Sequence, residues 1–175
     1  MHRPPSWQLR PEAMILGFAH PAIVVSDLER ARDFYSKAFG FWVLSDEGWS
    51  DSPELDAAIG SHDSKCRGYM LAGHNCFLEL FVFAQPSQTG PDPAALGPHE
   101  LGLRHLSFFV DAVDVEYKRL MTLGAQPLGE PQTSAGITAV YLRDPDGNII
   151  ELCECPSPDE DLRKLPGISS LQEHH

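Results

Sequence analysis

Hydrophobic and polar positions along the chain form one arrangement that occurs twice. Residues 17–25 are an apolar, β-branched run of strand length. A helix is predicted next, because five apolar side chains recur at helical spacing: Leu28, Ala31, Phe34, Tyr35 and Ala38. Ser26 with Glu29 three residues later forms a capping box, and Gly40 is typical of a helix end. Three strands are predicted to follow, at 41–45, 65–72 and 75–84.

The second copy repeats this order of one strand, one helix and three strands. Its first strand is predicted in residues 102–110, and its helix in 113–123, with Asp111 as N-cap and Gly124 as the stop. Further strands are predicted at 126–128, 137–142 and 148–155. A strong turn sequence, Asp144-Pro145-Asp146-Gly147, separates the last two.

The offsets between matching residues define the repeat and its boundaries. His20 and His105 are 85 positions apart, whereas Glu79 and Glu151 are 72 apart. The first copy therefore carries about a dozen extra residues, which we place in the loop 48–64. The predicted organisation is a lead-in at 1–13, a first βαβββ module at 14–84, a Pro- and Gly-rich linker at 85–101, a second βαβββ module at 102–155 and a polar tail at 156–175.

Composition limits the classes of partner. A hydrophobic fraction of 42% suffices for one domain or for two small modules that share a core. The formal net charge of -12 excludes a typical nucleic-acid binder and disfavours an anionic membrane surface. No apolar run reaches the length of a membrane span, and the four cysteines lack redox or zinc spacing. A cytoplasmic protein with thiol cysteines is expected.

Four polar residues interrupt otherwise apolar strands. In residues 77–83 every side chain except Glu79 is apolar, and this pattern predicts a strand buried on both faces. Glu151, His20 and His105 have similar surroundings. A single histidine of this kind is usually a hydrogen-bonded core residue, and a single buried glutamate usually pairs with an arginine. Recurrence changes that interpretation, because the same strand position is His twice and another is Glu twice.

Two imidazoles and two carboxylates are a ligand set for one divalent metal ion. If the two copies pack symmetrically, His20, Glu79, His105 and Glu151 converge about a pseudo-twofold axis. The set suits Ni, Co, Mn, Fe or Zn, and it leaves coordination positions for water or substrate. An open shell of this kind indicates chemistry rather than a structural site.

The chain resembles the vicinal-oxygen-chelate superfamily, which includes glyoxalase I, methylmalonyl-CoA epimerase, extradiol dioxygenases and fosfomycin- and bleomycin-resistance proteins. The resemblance covers residues 16–155. In the first copy it rests on His20 before Val25-Ser26-Asp27-Leu28, on Ala31-Arg32-Asp33-Phe34-Tyr35, on Gly40 and on Glu79. In the second copy it rests on the segment 104–110 and on Asp144-Pro145-Asp146-Gly147-Asn148 before Glu151. It implies an α+β fold in which two tandem βαβββ modules form a cupped mixed β-sheet around a metal site.

The resemblance also implies an activity. The His/Glu/His/Glu set is that of glyoxalase I-like lyases and isomerases, which transfer a proton beside a carbonyl through a metal-stabilised enediolate. By the same resemblance Glu151, or else Glu79, is the catalytic base. The expected substrate is a small molecule with vicinal oxygens. The alternatives are an iron-dependent extradiol-type dioxygenase, which a glutamate at position 79 disfavours, and a non-catalytic small-molecule-binding or resistance protein. Because the module edges leave unpaired strands, a homodimer is expected, with the metal site within one chain or between two.

Overall fold

The computed structural model describes residues 17–154 as three helices and nine strands in two mixed sheets. In chain order the elements are β1 (Ala22–Val24), α1 (Leu28–Phe39), β2 (Trp42–Trp49), α2 (Pro53–Ile59), β3 (Lys65–Ala72), β4 (Phe77–Gln85), β5 (His105–Val110), α3 (Val113–Thr122), β6 (Gln126–Pro127), β7 (Gln132–Ser134), β8 (Ile137–Arg143) and β9 (Ile149–Glu154). The α+β class expected from the sequence is confirmed. No helix of this part of the chain is long and apolar enough to cross a membrane.

The two sheets share one topology. The first has the strand order β1-β4-β3-β2, and the second has the order β5-β9-β8-β6, with β7 also paired to β8. In each sheet the first strand runs parallel to the last one, and the other pairs are antiparallel. This arrangement follows from the repeat, because a helix connects the first strand of each module to the three strands that follow. Both β1 and β5 consequently lie at a sheet edge.

The hydrophobic core lies on the helix-covered faces of the two sheets and is continuous between them. Its members come from α1, α3 and alternate positions of the strands; those from the sheets include Leu71, Leu78, Leu80, Val140, Leu142, Ile150 and Leu152. Phe39 of α1 stacks on Phe108 of β5, with ring centroids 3.8 Å apart. The modules therefore pack on each other through their helical sides.

Polar contacts reinforce this packing between the modules. The buried Tyr35 hydroxyl donates to Asp144 Oδ2 at 2.9 Å, and burial raises the pKa of both groups. Arg119 of α3 donates to the carbonyls of Lys37 at 3.0 Å and Ala38 at 2.5 Å, which are otherwise unpaired at the end of α1. These contacts hold the turn between β8 and β9, and the helix α3, against α1.

The predicted N-caps are wrong in both modules, although α3 begins at Val113 as predicted. Asp27, not Ser26, is the N-cap of α1, and its side chain accepts from the Arg30 amide at 3.0 Å. Ser26 instead donates through its amide and hydroxyl to Asp146 Oδ1, at 2.8 and 2.5 Å. In α3 the N-cap is Ala112 rather than Asp111, with no side-chain cap. The Val113 amide donates to Glu154 Oε2 at 3.3 Å, so a carboxylate from β9 takes the place of a local cap.

Several element boundaries also differ from the prediction. Strand β1 contains three residues rather than nine, and β2 continues to Trp49 instead of ending at Ser45. The extra loop of the first copy contains α2, and the second module has the additional strand β7. A 3-10 helix, Pro93–Ala95, lies in the linker and is held by Arg143, which donates to the Pro93 and Leu96 carbonyls. The end of the last predicted strand, Cys155, lies outside the described residues, as do the lead-in and the tail.

Candidate metal centre

The strand register places a histidine and a glutamate together in the same way in both modules. In the first sheet Glu79 is paired with Ala22 of β1, and His20 lies two residues before Ala22. In the second sheet Glu151 is paired with Ser107 of β5, and His105 lies two residues before Ser107. Because side chains alternate along a strand, each histidine faces the same side of the sheet as its glutamate. The recurrence seen in the sequence is therefore a recurrence in space.

Each pair is in direct contact. His20 Nε2 lies 3.2 Å from Glu79 Oε2, and His105 Nε2 lies 3.4 Å from Glu151 Oε2. The histidine side chains are 33% and 37% exposed, and the glutamates are 16% and 20% exposed. Both carboxylates are thus accessible to a ligand, yet are held by the sheet.

The strand β4 is not buried on both faces, contrary to the prediction. Leu78 and Leu80 are buried against the helical side, whereas Glu79, Phe81 and Phe83 are half-buried on the other side. The apolar run in β4 therefore combines a core face with a second apolar face that remains partly open. Glu79 escapes the desolvation cost expected for a fully buried carboxylate.

The described residues do not bring the four predicted ligands into one cluster. No group of three or more His, Cys, Asp and Glu side chains within 17–154 is placed to hold a metal ion. The cause is the packing of the modules: the shared core lies on the helical faces, and both His–Glu pairs lie on the opposite faces. Each module thus presents half of the predicted ligand set, with one imidazole and one carboxylate.

The geometry of each pair fits a shared metal ion. Imidazole nitrogen and carboxylate oxygen bind first-row ions at about 2.0–2.2 Å, so two such ligands at a right angle lie about 3 Å apart. The separations of 3.2 and 3.4 Å are close to that value. The donor types also match Ni, Co, Zn, Mn or Fe.

The two half-sites differ in the residue beside the glutamate. Across the ladder, Glu151 is paired with Tyr141, whereas Glu79 is paired with Met70. The pKa of Tyr141 is raised by burial and then by the charge of Glu151 and a hydrogen bond with it, and its ring lies 5.3 Å from that of His105. Met70 offers no comparable donor. Only the second half-site, of these two, thus has a hydroxyl on the residue paired with its glutamate.

Other residues on the ligand faces were partly anticipated. The sequence suggests six residues as pocket lining: Trp42, Trp49, Tyr69, Phe81, Tyr141 and Cys153. The strand registers place five of them on the ligand-bearing faces, and they place Tyr69 on the helical side, where its hydroxyl donates to Glu29 at 2.8 Å. Ser45 and Glu47 were missed, because the strand was predicted to end at Ser45; their alternation with Trp49 is the signal that marks this face.

One groove lies apart from the ligand pairs. It has a volume of about 1070 Å³, and its lining includes residues 26–29, 46–50 and 65–69 but none of the four predicted ligands. One of its carboxylates, Glu29, already accepts from Arg67 at 3.2 Å and from Tyr69. Because these charges satisfy one another, the groove lacks the recurring chemistry of the His–Glu pairs.

Comparison with known proteins places this geometry in context. The family model of the Glyoxalase/Bleomycin resistance protein/Dioxygenase superfamily matches residues 17–152. An uncharacterized Bacillus subtilis protein, YwkD, is 30% identical over 140 residues, which is 77% of this chain and 94% of that protein. Glyoxylase I 4 of Arabidopsis thaliana is 25% identical over 140 residues, covering 79% of this chain and 70% of that protein. The crystal structure of a glyoxalase family protein from Bacillus cereus shares the fold at a TM-score of 0.74 and 21% identity, covering 83% of this chain and 98% of that one.

Proposed function

Because the chain belongs to the Glyoxalase/Bleomycin resistance protein/Dioxygenase superfamily, we propose that it is a divalent-metal-dependent lyase or isomerase of glyoxalase I type. The reaction is a proton transfer next to a carbonyl. The observation that carries the proposal is the His–Glu pair, which recurs at one register position in both modules. Structural ion pairs do not require such a repetition, whereas a ligand set arranged about a twofold axis does.

The four residues His20, Glu79, His105 and Glu151 hold the metal ion in this proposal. With the ion bound, a Lewis acid is available to two adjacent oxygens of the substrate, and it makes the neighbouring C–H more acidic. The substrate is accordingly a small molecule with vicinal oxygens. The two carboxylates are the candidate bases, and Glu151 is our first choice. Their partial exposure leaves each of them accessible to a substrate proton.

The complete site is formed between two copies of the chain. Within one copy the half-sites lie on faces that point away from the shared core, so each needs a second half from elsewhere. Both ligand-bearing edge strands also expose apolar side chains on the ligand face: Val24 is 50% exposed and Phe109 is 59% exposed. Edge strands and apolar surface of this kind favour association, and a twofold homodimer joins first and second half-sites reciprocally.

Metal stoichiometry tests this proposal. Purified protein is stripped with a chelator, reconstituted in turn with Ni, Co, Mn, Zn and Fe, and measured by elemental analysis. We expect about one ion per chain for at least one metal, because a twofold dimer contains two equivalent sites. A content below about 0.2 per chain for every metal contradicts the proposal.

Proton transfer is tested separately in deuterated water. NMR follows exchange of the C–H next to the carbonyl in a panel of α-hydroxyketones and of thiol adducts of 2-oxoaldehydes. Exchange should require metal, and Glu151→Gln should slow it by at least about 100-fold while metal content is retained. Unchanged exchange in Glu151→Gln removes this residue from the base role, and Glu79→Gln then tests the other carboxylate. Oxygen consumption with a catechol by iron-loaded protein, without such exchange, indicates a dioxygenase instead.

A further inference from the structure

Three aromatic side chains form a continuous surface beside Glu79. Cross-strand pairing puts Glu79, Phe81 and Phe83 of β4 on one face, and it puts Trp49 of β2 on the same face through Cys66. The Trp49 ring centroid lies 5.6 Å from that of Phe81 and 5.9 Å from that of Phe83, and the two phenyl rings are 6.0 Å apart. All three rings are half-buried, so part of each remains open to a ligand. We refer to these three residues as the aromatic surface.

Backbone geometry supports this surface at Gly68. Gly68 is paired with Phe81 across the ladder, and a Cβ atom there would overlap the Phe81 ring, with its Cε1 at 2.7 Å. The absence of a side chain therefore lets the phenyl ring lie against the backbone of β3. A side chain at position 68 would displace the ring from this place.

The extra loop of the first module anchors Trp49. The indole Nε1 donates to the Ser64 hydroxyl at 2.6 Å, and Ser64 is fully buried. The Ser64 amide and hydroxyl in turn donate to Asp56 of α2. A large ring that is fixed in this way loses little conformational entropy when a ligand binds. The insertion thus supplies the fixed partner that completes the aromatic surface.

The corresponding place in the second module is small and polar. The register position two residues beyond the glutamate is Phe81 in the first module and Cys153 in the second. Cys153 is paired with Ala139, which is paired in turn with Gln132. A metal site that joins one half from each module therefore has an aromatic side and a small, polar side.

Charge limits what can bind on the aromatic side. Glu47 is paired with Gly68 and faces the same side of the sheet as Glu79, and its carboxylate accepts from the Ser45 hydroxyl at 2.7 Å. A negatively charged group placed between these two carboxylates is repelled. The surface therefore suits an apolar group without negative charge.

We propose that Trp49, Phe81 and Phe83 bind an uncharged aryl or branched-alkyl substituent on the substrate, next to the carbon from which the proton is removed. This specificity rests on the proposed function, since it assigns the substituent of the same substrate. The substrate class is an α-hydroxy- or 2-oxocarbonyl compound with an apolar substituent. It binds in one orientation, because the second module offers no equivalent surface.

Two hydroxamates test this specificity without turnover. Acetohydroxamate and benzohydroxamate both chelate a metal through two adjacent oxygens, but they carry a methyl and a phenyl group. Their dissociation constants are measured by calorimetry on metal-loaded wild type, Trp49→Ala and Val43→Ala. Val43 is the control, because it lies on the same strand but on the opposite face of the sheet, where it is paired with Leu71. The ratio of the two constants cancels the affinity of the chelating group itself.

We expect Trp49→Ala to reduce the preference for benzohydroxamate about tenfold, which corresponds to about 1.4 kcal/mol. Val43→Ala should keep the wild-type ratio, and Phe83→Leu, which preserves apolar bulk, should reduce it about threefold in the same direction. Unchanged binding of acetohydroxamate shows that each variant is folded and retains its metal.

Two other outcomes overturn the inference, and they are distinguishable. If metal and acetohydroxamate bind normally but the ratio is the same in wild type, Trp49→Ala and Phe83→Leu, the aromatic surface does not bind the substituent and the proposed function stands. If neither hydroxamate binds to any metal-loaded sample, the proposed function fails, and the substrate class fails with it.

Discussion

The first and second modules share the placement of their ligand pair and differ in almost everything around it. Both have the histidine two residues before the strand partner of the glutamate. The first adds α2 and the aromatic surface, whereas the second has Tyr141, Gln132 and a linker segment held by Arg143. The shared features are those that our proposal assigns to the metal ion, and the differing ones are those that it assigns to the substrate. In that proposal the repeat preserves the residues of the chemistry and not the residues of the specificity.

The largest expected effect tests whether the two modules contribute equally to metal affinity. His20→Ala and His105→Ala should each weaken metal affinity more than about 100-fold, because even outer partners of ligands contribute 10–100-fold. Competition with a chromogenic chelator measures both constants, and circular dichroism checks the fold. Equal losses of metal affinity in the two variants support two matched half-sites. Wild-type metal affinity in either variant contradicts a metal role for the histidine that it lacks.

A smaller effect should distinguish the modules. Tyr141→Phe removes the hydroxyl of the residue paired with Glu151, and burial and then the charge of Glu151 raise the pKa of that hydroxyl. We expect metal affinity to fall about tenfold. The matched change, Met70→Leu, alters the corresponding position beside Glu79 and should change affinity less than about twofold. The same chelator competition measures both variants. Equal effects would show that the hydroxyl does not orient its carboxylate.

The smallest effect concerns the two helix starts. Asp27→Ala removes the side-chain cap of α1 and should lower the free energy of unfolding by about 1 kcal/mol. Ala112→Ser adds a cap to α3, whose N-cap has none, and should raise it by about 0.5 kcal/mol. Urea denaturation followed by circular dichroism gives both values. A higher free energy of unfolding in Asp27→Ala, or a lower one in Ala112→Ser, would contradict the capping geometry.

The repeat explains how much of this structure could be predicted. Recurrence at a fixed position singled out His20, Glu79, His105 and Glu151, and the structure shows each histidine in contact with its glutamate. The order of strands and helices followed from the hydrophobic pattern, and the fold class followed from the family resemblance. The N-cap of α1 could not be predicted, because the partner of Ser26 is Asp146, 120 residues away. Local capping rules compare only nearby groups, so they favoured a capping box that a contact between modules replaces.

Which faces of the sheets meet also could not be predicted. Apart from Glu79, strand β4 is apolar at both alternating sets of positions, so its hydrophobic pattern alone does not distinguish the helix-covered face of Leu78 and Leu80 from the open face of Phe81 and Phe83. That choice decides whether the two half-sites converge within a chain or face away from each other. It depends on packing between modules, which a pattern within one strand does not record.

Complementation between two half-site variants tests the central claim most directly, namely that one copy's first half-site and another copy's second half-site share a metal ion. One variant carries His20→Ala and Glu79→Ala, and the other carries His105→Ala and Glu151→Ala. Each alone should bind almost no metal. After the two are unfolded together and refolded, half of the dimers are mixed and contain one intact site each, so metal content should rise to about 0.25 per chain. A mixture that binds no more metal than the separate variants would contradict a site shared between copies.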